Sequence, residues 1–273
     1  MSRLKDRLQT IRGEDRAALV TFITAGDPAP GYTVPALHAL VEAGADVLEI
    51  GVPFSDPEAE GPAIQASSER ALAHGVTLAQ VLEMVAEFRK RDATTPIVLM
   101  GYLNSVLRMG EAHFAAAASE AGVDGLIMVN LPPEESDDLR AELTAHDIDL
   151  VFLVAPTTTK VRADKILSLA SGFVYYVSLK GITGADHLDP AEIEARVTAL
   201  RERTDLPVMV GFGIKDPTSA GAVAAFADGV VVGSAIVRTM AASAASAPST
   251  AAIERLGIAL KEQVAALRSA VDR

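Results

Sequence analysis

The sequence from residue 208 to residue 236, VMVGFGIKDPTSAGAVAAFADGVVVGSAI, decides the fold. Two short apolar runs, 208–210 and 229–232, are each followed by a Gly-rich turn and then by a helical pattern. Strands that are buried on both faces give such continuous apolar runs, whereas half-exposed strands alternate apolar and polar residues. The stretch therefore predicts two consecutive βα units of a parallel sheet.

The same alternation of strand and helix runs back through the chain. Six further apolar runs precede this stretch, at residues 18–23, 47–50, 97–100, 125–129, 150–154 and 173–177. Eight βα units in roughly 250 residues indicate an α/β protein of the (β/α)8 TIM barrel type, here with an extra N-terminal helix. A doubly wound sheet is the alternative, and the Gly-rich turns after the last two strands favour the barrel. Because no linker or low-complexity stretch interrupts the pattern, residues 1–273 are predicted to form a single domain. The helices after the third and fourth strands are predicted at 111–121 and 134–144.

Composition restricts the classes of function. The chain has 0 Cys, which excludes a thiol nucleophile and a thiolate metal site. Its formal net charge of −12 repels nucleic acid and anionic membranes, so neither is expected as a partner. We expect a cytoplasmic protein, since no signal pattern follows Met1 and the apolar runs are interrupted. The 5 His lack paired spacing, so no metal is expected; the acidic residues at 56, 58 and 60 are the weaker alternative as Mg²⁺ ligands.

Residues 48–62, LEIGVPFSDPEAEGP, carry the candidate catalytic acids. Glu49 ends an apolar run, and a carboxylate among apolar neighbours loses hydration, which raises its pKa. Such a group can give and take a proton near pH 7. Asp56, Glu58 and Glu60 follow on the next loop and offer a second carboxylate for an acid–base pair. The alternative is an ordinary strand-end Glu49 that faces water.

Two Gly-rich turns are candidates for binding an anion. Gly211-Phe212-Gly213 follows the seventh strand, and Gly233-Ser234 opens the helix after the eighth. Glycine lets a ligand approach the backbone, and a helix start presents free N–H groups, so this pair of turns predicts a phosphate site. The loop 178–185 after the sixth strand has glycines around Thr183 and is predicted to be a lid, with a plain turn as the alternative.

Several longer strings resemble the tryptophan synthase α chain family, and the similarity runs from about residue 2 to residue 271. The strings lie at residues 48–57, 61–65, 132–135, 181–184, 211–214 and 233–237. The resemblance implies a (β/α)8 barrel that cleaves indole-3-glycerol phosphate to indole and glyceraldehyde 3-phosphate. It also implies a partner, the tryptophan synthase β chain, in an αββα heterotetramer. Pyridoxal phosphate is then expected only in that β chain, and no cofactor in this chain.

The resemblance also assigns roles to residues. It implies that Glu49 is the proton shuttle, that Glu60 is the carboxylate beside the indole nitrogen, and that the Tyr175 hydroxyl lies near the reacting centre. The implied walls of the indole pocket are Phe22, Tyr102, Leu153, Tyr175 and Phe212. The implied phosphate ligands are Gly184, Gly213, Gly233 and Ser234, and Thr183 would tie the lid to the acidic loop. The implied contacts with the β chain are Asp56, Pro57, Asn104 and Asn130.

Three positions depart from the family pattern. Glu60 stands where Asp is expected, Glu58 where an apolar residue is usual, and Asn130 where the fourth strand normally ends in Asp. Three hypotheses follow: a working but slower α chain, a catalytically weakened phosphate-binding barrel that modulates a β chain, or a lyase or isomerase of another phosphorylated substrate.

Overall fold

A computed structural model describes residues 2–177, 190–211, 213–243 and 247–272. Eight parallel strands in these ranges close a barrel in chain order. They are β1 Ala18–Thr24, β2 Val47–Gly51, β3 Ile97–Gly101, β4 Gly125–Met128, β5 Asp149–Val154, β6 Val174–Val177, β7 Val208–Gly211 and β8 Gly229–Val232. The predicted (β/α)8 barrel is confirmed, and the doubly wound sheet is excluded because β1 pairs with both β2 and β8.

The helices surround the barrel. They are α1 Arg3–Gly13, α2 Pro30–Glu42, α3 Pro62–Ala73, α4 Leu78–Arg89, α5 Leu103–Met109, α6 Glu111–Ala121, α7 Asp137–Ala145, α8 Lys160–Leu169, α9 Pro190–Arg201, α10 Pro217–Ala224, α11 Ser234–Ser243 and α12 Thr250–Val271. Within the described ranges, none of them has the length and apolar character that a membrane span requires.

Two helix predictions were wrong in detail. The helix expected at 134–144 is divided into a 3-10 turn, Pro133–Glu135, and α7. Ser136 lies between them, and its hydroxyl donates to the Pro133 carbonyl at 2.8 Å, which satisfies the turn locally. The short helix α5 was not predicted, because its 7 residues hold too few turns for an apolar period to stand out.

Side chains of the strands alternate between two cores. Outward-facing residues such as Leu48, Ile50 and Leu99 pack against the surrounding helices. Inward-facing residues form a second cluster inside the barrel, with Val20, Val47, Val98, Ile127, Val151, Met209 and Val231 among its members. Because both faces of each strand are buried, the strands appear in the sequence as continuous apolar runs.

The N-terminal helix α1 covers one end of the barrel. Its apolar side chains Leu4, Leu8 and Ile11 join the inner cluster. Ion pairs fix its opposite edge, since Arg3 pairs with Asp124 at 2.7 Å and Arg7 pairs with Asp46 at 2.6 Å. Helix α1 therefore covers this end, beside a cavity of about 510 Å³ that Leu8, Ile11 and Met209 help to line. The carboxyl ends of the strands form the opposite mouth, which is the catalytic end in barrels of this kind.

Candidate active site

Glu49 lies inside the barrel. Its neighbours in β2, Leu48 and Ile50, belong to the outer core, so Glu49 points inward by the alternation of a strand. It pairs in register with Phe22 of β1 and Val98 of β3. The residue is 1% exposed, and its Oε2 is buried without a hydrogen-bond partner in the described part of the chain. The alternative of a strand-end glutamate in water is therefore wrong.

The two predicted acids both have raised pKa values. Burial raises the pKa of Glu49 to about 8, and the charge of Glu60 adds to this shift. Glu60 is half-buried at the end of the loop after β2, and burial raises its pKa to about 7. Both carboxyl groups therefore titrate near neutral pH, as an acid–base site at that pH requires.

Tyr175 in β6 also points into the barrel. A Cβ atom on Gly211 of β7 would overlap the Tyr175 hydroxyl, so the glycine makes the room that this phenol occupies. Burial, and then the charges of Glu49 and Glu60, hold the pKa of Tyr175 well above its usual value. The hydroxyl therefore stays protonated and is a hydrogen-bond donor in the field of the two acids. Leu153 is its register partner on β5 and is half-buried against the same inner cluster.

Phe22 forms an apolar wall beside Glu49. A Cβ atom on Gly51 would lie 2.6 Å from Phe22 Cζ, and one on Gly233 would lie 3.3 Å from Phe22 Cδ1. The ring thus occupies the space that two glycines leave at the ends of β2 and β8. A flat apolar ligand at this mouth of the barrel would contact the ring directly.

The loop 52–61 between β2 and α3 is called the acidic loop below. The Ala59 N–H donates to the Tyr102 hydroxyl at 3.0 Å, and the rings of Phe54 and Tyr102 stack with centroids 4.7 Å apart. The Gln65 side-chain amide donates to the Glu60 carbonyl at 2.9 Å. The sequence reasoning missed the roles of Phe54 and Gln65. Gln65 lies within residues 61–65, one of the strings that resemble the family, but a contact between a side chain and a loop backbone has no periodic signal in a sequence.

One pocket brings several predicted residues together. Phe22, Tyr102 and Glu60 line it, together with Thr24, Phe54 and Met100. Leu153 and Tyr175 lie on β5 and β6 and do not line this pocket. In the described part of the chain, no group of three or more His, Cys, Asp or Glu side chains is placed to hold a metal ion.

Three of the predicted phosphate residues, Gly213, Gly233 and Ser234, lie at the same mouth. Gly213 follows β7 with φ +76°, a left-handed conformation that favours glycine. Gly233 follows β8, and its carbonyl accepts from the Val237 N–H at 3.0 Å, so the free N–H groups of α11 begin at Ser234. Thr183, Gly184 and Phe212 lie outside the described residues, and the predictions for them stay predictions.

The residues predicted to face a partner lie on loops and in the first turn of α5 at this end. Asn130 accepts from the Leu103 N–H at 2.8 Å, and its side-chain amide donates to Asn104 Oδ1 at 3.2 Å. Asp56 is exposed and accepts from the Ser55 hydroxyl at 2.5 Å, and Pro57 beside it is half-buried. The Asn130 contacts connect the loop after β4 to the first turn of α5 through side chains that also reach solvent.

The fold defines a (β/α)8-barrel enzyme, and two carboxyl groups with raised pKa values lie toward the carboxyl ends of its strands. The family model of the tryptophan synthase alpha chain matches residues 8–266. A tryptophan synthase alpha chain from Burkholderia thailandensis is 54% identical over 272 residues, which cover 100% of this chain and 97% of that one.

Solved structures agree with the sequence comparison. The tryptophan synthase subunit alpha from Legionella pneumophila superposes with a TM-score of 0.91 at 42% identity, covering 99% of this chain and 98% of that one. A chain of the tryptophan synthase from M. tuberculosis, in its aminoacrylate-bound form, gives a TM-score of 0.85 at 34% identity, with 99% and 100% covered. The chain therefore belongs to the tryptophan synthase alpha chain family. The reaction of this family is the cleavage of indole-3-glycerol phosphate, a lyase step of tryptophan biosynthesis.

Proposed function

We propose that this chain cleaves indole-3-glycerol phosphate at the site described, with Glu49 as the proton shuttle and Glu60 as the carboxylate for the indole N–H. The cleavage is a retro-aldol step. Protonation at indole C3 makes the ring a leaving group, and a base takes the proton of the C3′ hydroxyl. The C3–C3′ bond then breaks, its electron pair returns to the ring, and the C3′ oxygen becomes the carbonyl of glyceraldehyde 3-phosphate.

The protonation states of the two acids suit these roles. With a pKa of about 8, Glu49 is mostly protonated at pH 7 and can protonate C3. Once ionised, it is the base for the C3′ hydroxyl. Glu60, with a pKa of about 7, is partly ionised there and can accept the N1–H as positive charge develops on the ring. The Tyr175 hydroxyl, kept protonated by burial, can donate a hydrogen bond near the reacting centre.

The remaining residues would bind the two ends of the substrate. Phe22, Tyr102 and Leu153 offer apolar surface to the indole ring, with Phe212 as a further predicted wall. Gly213, Gly233 and Ser234 offer backbone N–H groups and a helix start to the phosphate, with Thr183 and Gly184 as further predicted contacts. Supporting this arrangement, the described members of the two groups lie at the same mouth of the barrel.

The partner proposed for this chain is a tryptophan synthase β chain in an αββα assembly in the cytoplasm, which would receive the indole. Pyridoxal phosphate is expected in that β chain alone. Supporting the interface, Asp56, Asn104 and Asn130 are exposed and Pro57 is half-buried at the catalytic end. Asn130 lacks the charge of the Asp that the family pattern has there, so we expect a β chain to bind the Asn130→Asp variant more tightly.

The observation that carries the proposal is the buried Glu49 beside Glu60 at the mouth of the barrel, with its Oε2 left without a hydrogen-bond partner among the described residues. Its test is indole release from indole-3-glycerol phosphate by the purified chain, with and without a β chain, beside the Glu60→Asp variant. We expect turnover, and a gain of ~10-fold or more in Glu60→Asp, because a carboxylate displaced by about 1 Å can cost ~10²-fold in rate.

The departures at Glu58 and Glu60 favour one alternative, a catalytically weakened barrel that modulates a β chain. Turnover only in Glu60→Asp, with β-chain activation by the unaltered chain, would support that alternative. Turnover in neither form would contradict the proposal and indicate another phosphorylated substrate.

A further inference from the structure

Tyr102 holds the acidic loop at two points. Its hydroxyl oxygen accepts from the Ala59 N–H at 3.0 Å. Its ring stacks on Phe54, with centroids 4.7 Å apart and planes 15° apart. Phe54 lies near the start of the loop and Ala59 near its end. A single side chain that follows β3 therefore fixes both parts of the loop against the barrel.

Glu60 directly follows Ala59, and its main chain is held on both sides. Its N–H donates to the Pro57 carbonyl at 3.0 Å, and its own carbonyl accepts from the Gln65 amide at 2.9 Å. In the described part of the chain, no hydrogen bond is made by the Glu60 carboxylate. The backbone at Glu60 is thus fixed while the carboxylate stays available to a ligand.

We propose that Tyr102 is a positioning residue for Glu60, in addition to being a wall of the indole pocket. This inference rests on the proposed role of Glu60. The Tyr102 hydroxyl fixes the peptide that precedes Glu60, and the Phe54 stack fixes the loop at its start. A loop carboxylate speeds the reaction only when its position is set, since a displacement of about 1 Å can cost ~10²-fold.

The Tyr102→Phe variant separates the two contacts. It keeps the ring and its stack on Phe54, and removes the acceptor of the Ala59 N–H. We expect kcat for indole formation to fall roughly tenfold, with KM changed much less because the wall of the pocket is intact. The matched control is Tyr32→Phe, which removes a buried hydroxyl that donates to the Ala247 carbonyl at 3.2 Å in another part of the fold. We expect unchanged kcat and KM in this control.

A double-mutant cycle distinguishes positioning from a separate contribution. If Tyr102 acts through Glu60, Tyr102→Phe has little further effect on single-turnover rates in a Glu60→Gln background, because neighbouring residues that act together are not additive. The same roughly tenfold loss in both backgrounds would overturn the proposal. A change confined to KM would also overturn it, because Tyr102 would then be only a wall.

Hydrogen exchange at the Ala59 amide tests the same contact without substrate. We expect this amide to be protected in the unaltered chain and in Tyr32→Phe, and to lose protection in Tyr102→Phe. Equal exchange in all three proteins would contradict the inference. Because this readout needs no turnover, a failure of the proposed lyase function is distinguishable from a failure of the positioning role.

Discussion

Glu60 on the acidic loop lies close enough to Glu49 in β2 for its charge to raise the pKa of Glu49, in addition to the larger effect of burial. Glu49 belongs to a strand of the barrel. Glu60 belongs to the acidic loop, which Tyr102 holds through its contacts with Ala59 and Phe54. Burial, helped by the charge of Glu60, therefore keeps a proton on Glu49 at neutral pH. This proton is the basis of the proposed chemistry.

The pair predicts a narrow pH optimum. Activity should rise as Glu60 ionises, with a pKa of about 7, and fall as Glu49 loses its proton, with a pKa of about 8. A pH profile of kcat/KM for indole release checks this. The apparent pKa values of the acid and alkaline limbs of this profile describe the pair of carboxyl groups and not either residue alone. In Glu60→Asp the acid limb should move to lower pH, because Asp has the lower intrinsic pKa. A flat profile between pH 6 and 9 would contradict the assignment.

Glu49 should reduce the stability of the fold at alkaline pH. Its folded pKa of about 8 exceeds the ordinary value of 4.5, so the native state binds the extra proton between these values. The contribution of Glu49 to the free energy of unfolding is therefore highest below pH 4.5, and it is lost as the pH rises through 8. We expect Glu49→Gln to be more stable than the unaltered chain by on the order of a few kcal/mol at pH 8.5. Urea unfolding of Glu49→Gln and of the unaltered chain at pH 5 and pH 8.5 measures this difference. Equal free energies of unfolding for the two proteins at both pH values would count against the prediction.

Gly211 should be required for the position of Tyr175. In Gly211→Ala the new methyl group meets the Tyr175 ring and hydroxyl, so the ring must move. We expect a loss of ~10-fold or more in kcat for indole release, since small displacements in a site are costly. Gly257→Ala is the control, because a Cβ there meets nothing within 4 Å and α12 should gain ~0.5–1 kcal/mol. Full activity in Gly211→Ala would show that the Tyr175 position is not needed.

Asp46 should stabilise the end of the barrel that α1 covers. It is 1% exposed and pairs with three arginines, Arg7, Arg16 and Arg268. Burial alone would raise its pKa, but the hydrogen bond from Arg16 and the other contacts outweigh burial and lower the pKa below 3.8. Its contribution is therefore present above the unfolded pKa and is lost as pH falls through the folded pKa.

Removal of the Asp46 charge tests its contribution to the stability of the fold. We expect Asp46→Asn to lose ~3–5 kcal/mol in urea unfolding at pH 7, and this difference to shrink below pH 4. Asp137→Asn, which breaks an ion pair between side chains that are 76% and 39% exposed, should lose less than ~1 kcal/mol. Similar losses in the two variants would contradict the assigned role of Asp46.

The barrel was predictable from the sequence because each strand is buried on both faces and leaves a continuous apolar run. Glu49 could be identified for the same reason, since a lone carboxylate at the end of such a run has little water around it. Gly211 and Gly233 were visible as glycines, but the side chains that fill their space, Tyr175 and Phe22, come from other strands. Such a contact is fixed by the closure of the barrel and leaves no local pattern.

The acidic loop shows more clearly what could not be predicted from the sequence. The carboxylates of this loop were visible in the sequence, and the resemblance to the family assigned them roles. The hydrogen bond between the Ala59 N–H and the Tyr102 hydroxyl, however, joins residues that are far apart in the chain. The division of residues 134–144 was missed for a different reason, because a 3-10 turn stabilised by Ser136 has no apolar period. Loops whose hydrogen bonds go to side chains need a structure before their function can be inferred.

The most direct test of the proposed chemistry is indole release by Glu49→Gln beside the unaltered chain, measured near pH 7.5. Gln keeps the size of the protonated acid and cannot carry a proton to and from the substrate. We predict a loss of at least ~10²-fold in kcat, as for removal of a general acid–base group, with the fold intact at that pH. Turnover in Glu49→Gln equal to that of the unaltered chain would contradict the central claim that Glu49 is the proton shuttle.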